Sequence, residues 1–167
     1  MKKQQKGFSL IELLIVVAII LIIAAIAIPN LLRSKMAANE SSAVGSMRTI
    51  NTAEVTYFTA YPNTGYSADI LSLGGVPATC ATTATTGAAC LIDNVLALAT
   101  GAGTAKSGYF FTYALTGAAG GINTAYTLSG QPANAGTTGQ RFFFTDQTGV
   151  IRYGLTGAAT AASSAIQ

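Results

Sequence analysis

The sequence has no histidine and only two cysteines, so it lacks most of the groups that catalysis and metal binding use. It contains no Cys-x-x-Cys pair, no Gly-x-Ser-x-Gly elbow and no phosphate-binding loop. The acidic side chains Asp69, Asp93 and Asp146 are scattered along the chain, so only folding could pair them. We therefore expect no enzyme activity, no cofactor and no metal site.

Charge is also scarce, at 9% of residues, and its positive excess lies at the N-terminus. Lys2, Lys3 and Lys6 are three of the nine basic residues, and the other six balance six acidic side chains. No cluster of Lys or Arg follows Lys35. This distribution fits an N-terminus retained on the cytoplasmic side of a membrane. It does not favour specific binding of nucleic acid.

One long apolar run is present, from residue 13 to residue 32, with Asn30 its only strongly polar member. Twenty helical residues span about 30 Å, the thickness of the hydrocarbon core of a bilayer. Glu12 lies at the start of the run, where a charge in lipid is costly and needs a partner. We expect that partner to be a positive charge on another copy of the chain. The alternative is that Glu12 reaches the headgroups from an ordinary membrane anchor.

The helix is predicted to run from about Phe8 to about Tyr61 and to become amphipathic over residues 33–61. Large apolar side chains recur there at roughly helical spacing, which predicts one stripe that packs on a globular layer: Val44, Met47, Ile50, Val55, Phe58 and Tyr61. Pro29 predicts a kink within the apolar half. The alternative is that the helix ends at Pro29 and a separate helix follows.

The remainder of the chain is predicted to be a loop, a sheet and a tail. Residues 62–105 form a variable Ala/Thr/Gly-rich loop with one short helix near residues 91–98. Cys80 and Cys90 lie in this loop, and beyond a membrane-crossing segment such a pair favours a disulfide; the alternative is two free buried thiols. Period-two patterns predict strands at 109–115, 124–129, 141–145 and 150–153 within the sheet region 106–153, followed by a flexible tail at 154–167.

The predicted fold class is therefore α+β. A long N-terminal helix with a hydrophobic first half and an amphipathic second half packs on a four-stranded antiparallel sheet.

At its N-terminus the chain resembles the type IV pilin family. Members of that family have a short basic leader that ends in Gly, usually followed by Phe, with Glu at the fifth mature position. Residues 1–7, Phe8 and Glu12 match this pattern, and Pro29 lies where a proline is common in the family. The cysteine pair departs from the family's usual position near the C-terminus, because here it precedes the predicted strands.

The resemblance implies that a membrane prepilin peptidase cuts between Gly7 and Phe8 and methylates the new amine of Phe8. Residues 8–32 would then be the transmembrane segment before assembly and the filament core afterwards. The subunit would leave the inner membrane through a pilus assembly machinery and polymerise with itself into an extracellular pilus, which would serve in cell adhesion or motility.

The expected function is thus that of a major pilin, and three alternatives stay open. The first is a pseudopilin of a type II secretion system. The second is a Sec-secreted protein that is cut before Ile28. The third is a single-pass anchored domain that does not polymerise.

Overall fold

A computed structural model of the chain describes residues 8–75, 80 and 84–166, so the predicted leader at residues 1–7 lies outside the described residues. The chain divides into two compact units, one up to Lys35 and one from Met36 onward. The helices are α1 (Leu10–Ala60), α2 (Ile70–Leu73), α3 (Asn94–Ala97) and a 3₁₀ turn at Ala102–Thr104. The strands are β1 (Tyr109–Ala119), β2 (Ile122–Pro132), β3 (Phe142–Asp146), β4 (Arg152–Gly154) and β5 (Ser164–Ala165).

The first unit consists of the apolar part of α1. The helix begins at Leu10 and continues through Pro29, so the alternative that it ends at this proline is wrong. Its most apolar 18-residue window has a mean hydropathy of 3.3, and none of that window is buried. The helix is thus long and apolar enough to cross a membrane, by length and composition.

In the second unit, the C-terminal part of α1 buries one stripe of side chains. Ile50 belongs to it as predicted, but Val55 is 61% exposed and Phe58 is 39% exposed. The prediction of these two was wrong because the step of five residues from Ile50 to Val55 turns a helix by about 500°, which places Val55 about 140° from Ile50 around the helix. Phe58, three residues after Val55, lies about 80° from Ile50. The stripe that packs consists of Ala43, Ser46, Met47, Ile50, Ala53, Glu54 and Tyr57.

The sheet has five strands in the order in which they occur in the chain, and every neighbouring pair is antiparallel. The α+β class is confirmed, but the predicted count of four strands was wrong. The fifth strand, β5, lies within the predicted flexible tail and pairs Ser164 with Tyr153 of β4. A strand of two residues is too short to show a repeating pattern of polar and apolar residues, so the sequence gives no signal for it.

The core of the second unit lies between α1 and one face of the sheet. Alternate residues of the strands point into it, as the period-two pattern requires, and they meet Met47 and Ile50 of α1. The principal strand residues are Tyr109, Phe111, Tyr126, Leu128 and Phe143. The two short helices complete this layer with Ile70, Leu73 and Leu96.

Candidate functional site

The predicted processing site is described on one side only. Phe8 is 80% exposed and lies two residues before the start of α1. Gly7 lies outside the described residues, so cleavage between Gly7 and Phe8 stays a prediction.

Glu12 is the third residue of α1, and its carboxylate turns back to the end of its own helix. Its Oε2 accepts a hydrogen bond of 2.8 Å from the backbone N–H of Ser9. The carbonyl oxygen of Ser9 accepts the N–H of Leu13 at 3.3 Å, which makes Ser9 the N-cap residue. Glu12 therefore makes the glutamate half of a capping box, the contact in which a carboxylate at the third helical position accepts the N–H of the cap residue.

This local contact gives Glu12 a role that our sequence analysis missed. The signal was present as Ser9-x-x-Glu12 directly before an apolar run, which is the sequence signature of a capping box. A negative charge in the first turn also interacts favourably with the positive end of the helix dipole. Of the two carboxylate oxygens of Glu12, Oε2 has a hydrogen-bond partner among the described residues and Oε1 has none.

The apolar side chains that follow Glu12 face outward on all sides of the helix. Leu13, Ile19 and Ile26 are 58%, 52% and 66% exposed, and the other large side chains up to Leu32 are comparable. A helix that is apolar all round is normally buried in lipid or in protein. This part of α1 therefore has no cover of its own and is built to be covered by lipid or by other chains.

Pro29 lies inside the apolar part of α1. It has no N–H, so it leaves the carbonyl of Ala25 without its intrahelical donor, and its ring crowds that carbonyl. The kink that we predict at this position stays a prediction.

The disulfide joins Cys80 and Cys90 with a Sγ–Sγ distance of 2.03 Å. Gly75 lies directly against it, since a Cβ atom there would come within 2.5 Å of Sγ of Cys80 and 2.7 Å of Sγ of Cys90. The N–H of Cys90 donates to the carbonyl of Gly74, and the N–H of Leu91 donates to the carbonyl of Leu73. These hydrogen bonds tie the loop to the end of α2 and the residues that follow it, and the bridge packs against the same segment.

The three scattered aspartates have local structural roles. Asp69 caps α2 by accepting the N–H of Ser72 at 2.8 Å, and Asp93 caps α3 by accepting the N–H of Leu96 at 2.9 Å. Asp146 closes the turn between β3 and β4 by accepting the N–H of Thr148 at 2.9 Å. Over residues 8–75, 80 and 84–166, no group of three or more His, Cys, Asp or Glu side chains is placed to hold a metal ion.

Comparison with known proteins gives matches in the N-terminal part of the chain. Residues 2–28 match the family model of the prokaryotic N-terminal methylation motif. The type IV major pilin protein PilA of Myxococcus xanthus is 46% identical over 55 residues, which is 33% of this chain and 25% of that protein.

Two further relatives match a similar stretch. The type IV wide pilus major component PilA4 of Thermus thermophilus is 59% identical over 39 residues, 23% of this chain and 30% of that protein. The type IV major fimbrial protein FimA of Dichelobacter nodosus is 56% identical over 52 residues, 29% of this chain and 33% of that protein.

The matched region thus covers between a quarter and a third of the length of these relatives. No solved structure matches the chain at a significant level. The methylation motif and these matches show that the N-terminal segment of the chain is similar to that of type IV major pilins.

Proposed function

We propose that this protein is the major structural subunit of a type IV pilus. In this proposal prepilin peptidase removes residues 1–7 and methylates Phe8, and the mature chain polymerises with copies of itself through the first half of α1. The protein acts as a building block and not as an enzyme. The pilus then serves functions such as adhesion or motility at the cell surface.

The observation that carries the proposal is the contrast between the two units. The first unit presents an uncovered apolar helix. The second unit buries its own core of large side chains, all of which come from Ala43 or later positions. An apolar surface of this extent on one helix is stable only in lipid or against other apolar surfaces. A subunit that moves from a bilayer into a bundle of like helices meets both conditions.

Before assembly, the same segment serves as a single-pass anchor in the inner membrane. Twenty apolar residues suffice for this span, and the three lysines of the leader favour retention of the N-terminus in the cytoplasm. The assembly machinery of the inner membrane then transfers the subunit to the filament. The three relatives matched are described as major components of pili or fimbriae, which favours this role over that of a pseudopilin.

Cleavage changes the charge at the N-terminus in a way that involves Glu12. It removes Lys2, Lys3 and Lys6 and creates an α-amine on Phe8. An α-amine has a pKa of about 8, so it is mainly cationic at neutral pH, and methylation keeps that charge. In the filament core the amine of one subunit pairs with the Glu12 carboxylate of its neighbour.

The capping contact leaves room for this pair. Oε2 of Glu12 is held by the N–H of Ser9 within the same chain, which orients the carboxylate and leaves Oε1 for a donor from another subunit. Burial of two charges costs about as much free energy as their attraction returns. The pair therefore sets the register between subunits, and the apolar side chains supply most of the cohesion.

Substitution of Glu12 tests this mechanism. Glu12→Ala removes both the charge and the cap acceptor, whereas Glu12→Gln keeps an acceptor for Ser9 and removes only the charge. Loss of one partner of a buried ion pair costs roughly 3–5 kcal/mol. We expect both variants to reduce the yield of sheared pili by more than about tenfold, because 1.4 kcal/mol already corresponds to tenfold. Cleavage before Phe8 should continue in both, as shown by intact mass.

The same measurements separate the alternatives. Wild-type pilus yield from Glu12→Gln would refute the charge pair, although the cap would still explain a defect in Glu12→Ala. A mature chain that begins at Ile28 would indicate Sec processing and overturn the proposal. A chain that begins at Phe8 but is found only as dispersed membrane-bound monomers would indicate a non-polymerising anchor.

A further inference from the structure

Glu54 is a carboxylic side chain in the core of the second unit, on the part of α1 that packs against the sheet. Its relative solvent exposure is 0%, although acidic side chains are rarely buried without a partner of opposite charge. Among the described residues the two ion pairs are Lys106 with Asp93 and Arg141 with Glu40. Neither involves Glu54, so no cation in this part of the chain offsets the burial of its carboxyl group.

The hydrogen bonds around Glu54 join three parts of the fold. Ser67, in the loop between α1 and α2, donates its backbone N–H to Oε2 of Glu54 at 3.0 Å. The hydroxyl oxygen of Ser67 lies 2.5 Å from Oε1 of Glu54 and 2.9 Å from the carbonyl oxygen of Asp69. Tyr113 of β1 donates its hydroxyl to the carbonyl of Ser67 at 2.9 Å.

A count of protons decides the state of this network. The hydroxyl of Ser67 has one proton but two oxygens within hydrogen-bond distance, one on Glu54 and one on Asp69. If Glu54 is ionised, the hydroxyl can serve only one of them. If Glu54 is protonated, its O–H donates to Ser67, and the hydroxyl of Ser67 donates to Asp69. The distance of 2.5 Å between the hydroxyl oxygen of Ser67 and Oε1 of Glu54 fits either direction of donation. The carbonyl of Asp69, as a second acceptor for the Ser67 hydroxyl, is therefore the feature that favours a protonated Glu54.

The electrostatic surroundings agree with the neutral acid. The titratable groups that face Glu54 are Tyr57 on its own helix, Tyr113 on β1 and Tyr126 on β2, and Asp69 lies in the adjoining loop. None of them carries a positive charge. Burial raises the pKa of Glu54 above its ordinary value, and hydrogen bonding from Ser67 and Tyr113 opposes that shift only in part.

We propose that Glu54 is protonated in the folded protein at neutral pH and acts as a proton-dependent latch. The latch joins α1, the loop around Ser67 and strand β1. When the proton is lost, the buried carboxylate has no cation beside it among the described ion pairs, the hydroxyl of Ser67 can serve only one of its two acceptors, and the network loosens. This inference concerns the second unit alone and does not depend on the proposed filament.

The sign of the pH dependence follows from proton binding. An unfolded chain releases the proton of Glu54 near pH 4.3, roughly the ordinary value of a glutamate, whereas the folded chain retains it to higher pH. Between these two values folding takes up a proton. The contribution of Glu54 to the free energy of unfolding is therefore greatest below about pH 4.3, and through this group alone the unfolding constant rises by up to about tenfold per pH unit until the folded-state pKa is reached.

The test uses the full mature chain in detergent micelles and the variants Glu54→Gln and Glu40→Gln. An amide has the shape of a protonated carboxyl group, so Glu54→Gln should fold and should lose the pH-dependent part of the stability. Glu40 lies on the same helix and pairs with Arg141, so Glu40→Gln controls for loss of any carboxyl group. The readouts are denaturant unfolding from pH 4 to pH 9 and the infrared carbonyl band of a protonated carboxylic acid at pH 7.

We expect wild type and Glu40→Gln to show the infrared band and Glu54→Gln to lack it. We also expect the stability of wild type relative to Glu54→Gln to fall as pH rises. Absence of the band from wild type at pH 7, or a relative stability that rises with pH, would overturn the proposal. The band is measured on the wild-type chain, so the test holds even if Glu54→Gln fails to fold.

Discussion

Glu12 and Glu54 lie on the same helix, but their surroundings differ. Glu12 is next to the free N–H groups of a helix start, where a negative charge is favoured. Glu54 is enclosed by tyrosines and by the loop around Ser67, where a charge is disfavoured. The sequence indicates the first case, because the acid stands out beside an apolar run. It hides the second, because a glutamate at helical spacing looks like a solvated residue.

A prediction at the residue scale concerns Gly65, in the turn after α1. Its φ is +81°, and a Cβ atom would collide with the backbone carbonyl oxygen of Asn123, which pairs with this turn. Gly65→Ala should lower the free energy of unfolding by about 1–3 kcal/mol from the backbone conformation alone, and the collision adds to this loss. Denaturant unfolding of the mature chain in micelles measures the change.

Gly45 provides the matched control. It lies in the helical part of the second unit, and a Cβ atom there would meet no atom within 4 Å. Gly45→Ala should raise the free energy of unfolding by about 0.5–1 kcal/mol, because alanine favours helix more than glycine does. If Gly65→Ala and Gly45→Ala lowered the free energy of unfolding by the same amount, the contact between Gly65 and Asn123 would not be formed.

At the scale of elements, sequence patterns predicted what long segments become but not how they pack. The apolar run, the helix that continues to the turn at Tyr61, and the four longer strands each repeat a pattern over several residues. The buried face of α1 was predicted less well because two of its members, Ala53 and Glu54, do not look like core residues, while the exposed Val55 and Phe58 do. Which residues are buried depends on their angular position around the helix, and the step of five residues from Ile50 to Val55 changes that position.

The short elements escaped prediction for a different reason. Helix α2 and strand β5 have four and two residues, too few to show a period. Contacts from elsewhere in the chain hold β5. Arg152 donates from Nη1 to the carbonyl of Ser163 at 3.0 Å, and the N–H of Ile166 donates to the carbonyl of Ile151 at 2.9 Å. Such elements depend on contacts with other parts of the fold, which a short stretch of sequence does not show.

A comparison of Ile50 and Val55 tests the phase of α1. Both belong to the stripe that the sequence predicts, but Ile50 is fully buried and Val55 is 61% exposed. Ile50→Ala should lower the free energy of unfolding by about 2–5 kcal/mol, since it leaves a cavity in the core. Val55→Ala should change it by no more than about 0.5 kcal/mol. A larger loss from Val55→Ala would mean that this face of the helix is covered.

At the scale of the whole molecule, the two units answer different physical demands. The apolar part of α1 exposes its side chains to its surroundings, and consecutive residues from Glu12 onward are enough to recognise it in the sequence. The second unit is stabilised by its internal packing, which depends on contacts between residues that are separated in the sequence, such as Glu54 and Ser67. The N-terminal site is therefore a prediction that the sequence alone supplies, whereas the network around Glu54 required the structure.

This division predicts that residues 36–167 fold without the apolar segment. Among the described residues, the buried apolar side chains all come from Ala43 onward, so the fragment retains that core. Because Cys80 and Cys90 are joined, the fragment should be made in an oxidising compartment. It should unfold in one cooperative transition, and it should remain a soluble monomer at concentrations at which the mature chain needs detergent, because it lacks the exposed apolar helix. Circular dichroism melting and size-exclusion chromatography measure the two properties.

An unfolded fragment would show that the second unit needs the first for stability. A fragment that forms filaments would show that the apolar helix is not the surface through which the subunits polymerise.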